Sequence, residues 1–204
     1  MSTKLKNGQS RYQSKAKVVT IKKFQLLTLV KATRCLNDAE FEKYGDAYLE
    51  FPVIIQGDGS PSEIFNLYLL KRLQQTVRYD FKTFASIANQ LVDFQRFLED
   101  EQLDCLKFHK LKQQNAIFKY RTRLIEQANA GLISASSARG RINAVVNFYR
   151  FLVMEDLVDH QRYGLPFQDV YKYIAVDNEF GARRKMAIKS HDFAIHVPAK
   201  AQNS

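Results

Sequence analysis

Residues 134–155 read SASSARGRINAVVNFYRFLVME, and their pattern decides the fold class. Ile142, Val145, Val146, Tyr149, Leu152 and Val153 recur at helical spacing and form one apolar stripe. Ser134, Ser136 and Ser137 are candidate N-caps, because a short hydroxyl side chain accepts from the orphan amides of a first turn. At about 100° per residue, Arg139, Asn143, Asn147 and Arg150 fall within about 80° of one another, roughly 110° round from the apolar stripe. One face therefore anchors the helix while a neighbouring flank presents polar groups. An arginine fork fits phosphate oxygens or the acceptor edge of guanine, and an asparagine amide fits the edge of adenine. Ser136, Ser137 and Gly140 are small enough to let a phosphate approach the backbone. Arg139, Arg141, Asn143, Asn147 and Arg150 are thus candidates for contact with DNA. Every amphipathic helix has a polar flank, so the same residues also fit a merely solvated surface.

Further helices precede this one. A third helix is expected from about Leu111 to Ala130, with Ile117, Tyr120, Leu124 and Ala128 inward and Gly131 as the left-handed residue that ends it. It is basic: Lys110, Lys112, Lys119, Arg121 and Arg123 lie on or beside it, the last three being candidate phosphate contacts. Six such groups on phosphates would give a salt slope of about −5. A second helix is expected from about Asp80 to Glu101. Phe84, Ile87, Ala88, Leu91, Phe94 and Leu98 form its stripe, and Lys82, Ser86, Asn89, Asp93 and Arg96 lie opposite. Lys82, Ser86 and Asn89 are DNA candidates; Asp93 would repel phosphates from the C-terminal half. A first helix is expected from Pro61 to about Gln75, with Ser60 as N-cap and Glu63 closing a capping box.

The flanks differ in character. Residues 1–17 are polar and basic and read as a flexible arm. Residues 18–30 and 48–56 read as strands, Pro52 placing the second at an edge. A short helix is expected over 168–176, and residues 186–197 alternate as a terminal strand or hairpin. Four segments result: a basic arm (1–17), a small β-containing lead-in (18–59), a helical domain (60–176), and a C-terminal hairpin with a tail (177–204). The expected class is mainly α, a bundle of four to five helices with short strand or hairpin additions from both ends.

The 204 residues carry a net charge of +10, distributed in blocks. Residues 1–34 hold nine Lys/Arg and no carboxylate, whereas residues 35–106 hold six cations against thirteen acids. Residues 107–150 hold nine cations against Glu126 alone, and residues 151–204 balance at seven of each. Basic blocks separated by an acidic one suggest a polyanion partner. With 46% hydrophobic residues, 15 Phe and 10 Tyr, the chain is not wholly disordered. No apolar run reaches the ~18 residues of a membrane span, and no apolar stretch backs the basic N-terminus as in a secretory signal. Cys35 and Cys105 are far apart, which fits reduced thiols in a cytoplasm better than a disulfide scaffold or a CxxC zinc site. The four histidines show no metal-ligand spacing, and no phosphate-binding glycine loop is present. Neither cofactor nor small-molecule substrate is expected.

The helices in order read SPSEIFNLYLLKRL, FASIANQLVDFQRFLEDEQLD, IFKYRTRLIEQANAGLIS and SSARGRINAVVNFYRFLVMEDLVD. This series resembles the core-binding (SAM-like, phage-integrase N-terminal) domain of tyrosine site-specific recombinases. The Leu91, Asp93-Phe94 and Phe97-Leu98-Glu99 pattern and the RINAVVNFYRFL run carry the likeness, with FPVIIQGDGSPSEIFNLYL upstream and SHDFAIHVP downstream. It covers roughly residues 50–198. The resemblance implies a SAM-like bundle that grips duplex DNA as one jaw of a clamp in site-specific integration or recombination. The other jaw of that family is catalytic and uses an Arg, a Lys, a His-x-x-Arg, a further His or Trp, and a Tyr nucleophile. Here the third residues after His109, His160, His191 and His196 are Lys112, Tyr163, Ala194 and Ala199, so no His-x-x-Arg exists. The chain also stops where the family's catalytic domain would begin. It is therefore expected to be no enzyme by itself, with double-stranded DNA as its partner, a catalytic domain or other recombinase protomers beside it, and a cytoplasmic, nucleoid-associated location.

The competing expectation is a helical protein-interaction or accessory module with no direct DNA role. Its acidic residues within 35–106 would face a basic partner. A hydrolase is the weakest reading, since metal and nucleophile motifs are both missing.

Overall fold

β-Branched and aromatic residues dominate KVVTIKKFQLLTLVK and recur in EFEKYGDAYLEFPVII, and such side chains suit a pleated surface better than a helix. In the computed structural model, which describes residues 12–31, 40–158, 164–177 and 183–195, these stretches form strands β1 (Lys17–Lys31) and β2 (Glu40–Ile55). Helices α1 (Glu63–Gln74), α2 (Phe81–Asp100), α3 (Ala116–Asn129) and α4 (Ala135–Met154) follow. Strands β3 (Asp169–Asp177) and β4 (Arg183–His191) close the series. Both sheets are two-stranded and antiparallel. Strands of 15, 16, 9 and 9 residues beside helices of 12, 20, 14 and 20 make the chain mixed α/β rather than mainly α.

Two compact units divide between Arg96 and Phe97, inside α2. In the first, β1 and β2 pair from Lys17↔Ile55 to Lys31↔Glu40, with irregularities between Phe24 and Leu26 and between Leu29 and Lys31. Phe24 stacks on Phe51 at 4.5 Å, and Phe51 meets Phe84 of α2 at 5.9 Å. Ile54 is buried and held by Asn66 of α1, whose Oδ1 accepts from the Ile54 amide at 2.8 Å and whose Nδ2 donates to its carbonyl at 2.9 Å. One amide side chain thus satisfies both backbone groups of a buried strand residue. Ser60 does not cap α1. Its amide and hydroxyl both donate to Asp58 Oδ1, and Ser62 takes the N-cap position without a side-chain cap bond. Ser62 Oγ instead donates to Gln95 Oε1 at 3.2 Å. The expected capping box is therefore replaced by a turn closed on Asp58.

The end of the expected arm is built in. Tyr12 and Ala16 are buried, the Tyr12 hydroxyl donates to Asp93 Oδ2 at 3.1 Å, and Arg96 Nε donates to the Ala16 carbonyl at 2.7 Å. Flexibility over 1–17 is thus corrected for 12–17; residues 1–11 lie outside the described residues.

In the second unit, Ile117, Tyr120 and Leu124 of α3 and Ile142, Val145, Val146, Phe148, Tyr149 and Leu152 of α4 are buried. The helix expected from Leu111 starts at Ala116. A 3-10 turn, Lys112–Gln114, precedes it, because Asn115 ties the connection back on itself. Asn115 Oδ1 accepts from the His109 amide at 2.9 Å, and its Nδ2 donates to the carbonyls of His109 and Lys112 at 3.3 Å. The helix expected over 168–176 is instead strand β3. Val170, Tyr173, Ile174 and Val176 favour a strand, and register with β4 from Asp169↔His191 to Asp177↔Arg183 satisfies its backbone. A boundary at 176/177 would cut that hairpin. The strand expected over 186–197 is β4, ending at His191; residues 196–197 lie outside the described residues.

Ser134 caps α4, accepting from the Ser137 amide at 3.0 Å. Three helices end alike: Leu103, Leu132 and Leu157 amides reach back to the carbonyls of Leu98, Gln127 and Leu152. The residue before each leucine takes a positive φ: Gln102 at 52°, Gly131 at 72° and Asp156 at 53°. Only glycine occupies that region without steric cost. Gln102→Gly is therefore expected to raise stability by about 1 kcal/mol. Urea denaturation of the variant beside the parent measures it, and an unchanged or lower midpoint would contradict the strain at that residue.

Candidate nucleic-acid interface

The spacing that places Arg139, Asn143, Asn147 and Arg150 on one flank of α4 holds in three dimensions, and the chain itself meets them there. Arg139 Nε donates to the carbonyl of Ile195 at 3.0 Å. Asn143 Oδ1 and His191 Nε2 share a hydrogen bond of 2.8 Å. Arg150 donates through Nη1 to Asn147 Oδ1 at 2.9 Å and pairs through Nη2 with Asp169. Its guanidinium also lies 5.7 Å from the centre of the Phe167 ring. Residues leading into β3 and out of β4 thus run along the flank. Arg139, Asn143 and Asn147 nevertheless stay exposed, whereas Arg141 and Arg150 are half-buried.

The basic third helix divides in the same way. Arg121 Nε donates to the Phe193 carbonyl at 3.2 Å, with its guanidinium 5.7 Å from the Phe193 ring centre. Arg123 pairs with Glu101 at 3.0 Å and lies 5.8 Å from the Phe97 ring centre. Lys119 is exposed. In the other unit, Lys82, Ser86 and Asn89 are exposed along the N-terminal half of α2. The same face of α2 continues through Asp93 and Arg96, the two side chains that hold Tyr12 and Ala16. The arginines expected to read DNA are therefore largely bound to carbonyls, carboxylates and rings. Lysines hold the exposed charge: Lys107, Lys110, Lys112 and Lys119 are all exposed. Lys107 was not singled out by periodicity, because it sits in a connection that has none.

A groove of about 710 Å³ opens beside α3, lined among others by Phe97, Glu101, Phe118, Lys119, Arg123 and Gln127. Gln127 is only 8% exposed, and its Oε1 has no hydrogen-bond partner. The signal for it was legible: a polar residue three positions after Leu124 and seven after Tyr120 interrupts an apolar stripe. Among the described residues, no group of three or more His, Cys, Asp or Glu could hold a metal ion, and no helix is long and apolar enough to cross a membrane.

Cys105 is buried near Tyr149, and burial pushes its thiol up to about 12, with the Asp104 carboxylate adding to the shift. The Tyr149 hydroxyl is pushed up by burial too. A neutral thiol is a poor nucleophile. In a Cys35→Ser variant, Cys105 should therefore react with a disulfide reagent at pH 8 only after denaturant is added; rapid reaction of the folded protein would show the thiol is not shielded. A raised folded pKa stabilises below the ordinary thiol value and loses that contribution as pH climbs towards 12. Stability should accordingly fall above about pH 9, an alkaline limb that Cys105→Ala shortens.

No protein-family description, no curated protein and no solved structure matches this chain.

Proposed function

We propose that this chain is a duplex-DNA-binding module of the core-binding, SAM-like kind, the gripping rather than the cutting part of a tyrosine-recombinase system. One observation carries the DNA reading. From Lys107 to Arg123 the sequence holds six cations and no carboxylate, and its four lysines are all exposed across the α2–α3 connection and the start of α3. Lysines placed this way replace condensed counterions along a duplex and give affinity without base readout. The exposed Arg139, Asn143 and Asn147 supply the groups that could face base edges, and Lys82, Ser86 and Asn89 a second set on α2. Arg121 and Arg150 act as anchors for the chain around β3 and β4. The recombinase assignment rests on the sequence likeness of the four helices. The lack of a His-x-x-Arg supports a role without strand cleavage, beside a catalytic partner, in DNA integration or recombination in the nucleoid.

The test is a fluorescent duplex titrated at two salt concentrations. Binding should weaken with salt, and Lys110→Ala with Lys112→Ala should weaken it about equally for all sequences while reducing the salt slope by about 2. Absence of binding at low salt would reject the DNA reading and leave a protein-interaction module in its place.

A further inference from the structure

The hairpin of β1 and β2 has an inner and an outer face of different chemistry. Phe24 stacks on Phe51, and Tyr48 meets Tyr79, so these rings belong to the inner face. The period of two puts Lys17, Val19, Ile21, Lys23 and Leu27 of β1 on the other face. Leu49 stands opposite Lys23, and Lys43 opposite Leu27. Residues opposite one another in an antiparallel pair share a face. Glu50, at a φ of 58°, leaves strand geometry and lets Phe51 turn inward although its partner Ile21 faces out. The outer face is open to solvent: Leu49 is 64% exposed and Leu27 57%, Val19 and Ile21 are exposed too, and so are Lys17, Lys23 and Lys43. Large aliphatic side chains gathered on one exposed face indicate a contact surface rather than a solvated one.

Charge selects what this face takes. Residues 12–31 hold five lysines and no carboxylate. The acids of the hairpin lie elsewhere. Glu40 stands opposite Lys31 and Glu42 opposite Thr28, at the far end of the ladder, and Asp46 is set in the irregular stretch between Tyr44 and Tyr48. Burial, and then the Glu50 carboxylate, push the Tyr79 hydroxyl up, which puts Glu50 near the inner rings. A polyanion is therefore the complement of the outer face. We propose that this face lies in the major groove of duplex DNA, with its aliphatic side chains on thymine methyl groups and its lysines on the phosphates. A two-stranded ribbon is narrow enough, with strands about 5 Å apart against a groove about 12 Å wide. The interleaving favours a groove over an anionic lipid surface. Lys23 sits directly across from Leu49, and Lys43 from Leu27, so sinking either leucine among acyl chains would draw its lysine in too. A second copy of the same face would bring lysines onto lysines. The inference rests on the DNA-binding reading above and adds to it a contact that no helix makes.

The test titrates the full chain, at two salt concentrations, with an A·T duplex and with its counterpart carrying uracil for thymine, which lacks only the methyl groups. The thymine duplex should bind about threefold more tightly or better, and Leu27→Ala with Leu49→Ala should abolish that preference. Lys17→Ala with Lys23→Ala and Lys43→Ala should weaken binding of both duplexes about tenfold or more and reduce the salt slope by about 3. All five side chains are exposed, so the melting temperature should hold and lost binding would not reflect lost folding. Equal affinity for the two duplexes, or a preference that the leucine variant keeps, overturns the inference. A lysine variant with the parent's affinity and salt slope overturns it as well. If Lys110→Ala with Lys112→Ala still weakens binding in that case, the DNA reading stands without the ribbon. Absence of duplex binding at low salt removes both, and vesicles of anionic lipid that bind the parent but not the lysine variant would give the face to a membrane instead.

Discussion

Two backbone carbonyls set the arrangement of the second unit. Phe193 and Ile195 follow the end of β4 and are 4% and 1% exposed, so their side chains belong to the core. Their carbonyls leave the ladder with the strand and still require donors, because a buried carbonyl without one costs as much as a lost hydrogen bond. Arg121 of α3 and Arg139 of α4 supply those donors at 3.2 and 3.0 Å. The His191–Asn143 and Arg150–Asp169 contacts then fix the open end of the hairpin, where Asp169 pairs with His191, along the same helix. The basic flank that looks like a recognition surface in one dimension is, in three, also the place where the chain ends its own sheet.

The first unit repeats this logic with different residues. Tyr12 and Ala16 bury apolar surface against the α2 side of the hairpin unit, and the polar atoms that come with them meet Asp93 and Arg96. In each unit a polar helix flank satisfies an adjoining segment, and arginine is chosen for it. A guanidinium has several donors in a rigid fork and is more weakly hydrated than an ammonium, so it can serve a carbonyl while covering a ring. Lysine suits neither task as well. This explains why the exposed charge concentrates at Lys107, Lys110, Lys112 and Lys119 while Arg121, Arg123 and Arg150 are drawn inward.

The sequence made the helices legible wherever periodicity was long. The α2 and α4 ends fall within a residue or two of the expectation, since an apolar stripe over several turns outweighs local preference. Helix stops were legible only through glycine: Gly131 announces its left-handed residue, whereas Gln102 and Asp156 adopt the same conformation without any compositional sign. β3 was misread because nine residues show too little periodicity to separate strand from helix, and the deciding partner, β4, lies across residues 178–182. The Arg and Asn flank was legible as geometry but not as availability. Helical spacing says which side chains share a face, and nothing in it says that residues 48 or 56 positions later will come back to take them. Gln127 shows the reverse: a local break in an apolar stripe marks a buried, unpartnered acceptor that no motif describes.

The lysine-rich connection is locally unfavourable, and that bears on function. The α3 N-terminus has no acidic residue in its first turn and no side-chain cap bond, because Asn115 is spent on closing the 109–112 turn. Lys112 and Lys119 flank that positive helix end, the reverse of what the helix dipole favours. Capping with Asp or Ser and placing acids nearby would stabilise the helix, and α4 of this chain does carry a serine cap. Concentrated positive charge on a poorly capped helix start is a stability cost, set against the turn that Asn115 closes. A polyanion lying across it would neutralise the lysines and the helix end together. Local consistency therefore fails at the same stretch to which the proposed DNA contact is assigned, which is the kind of local cost the proposal calls for.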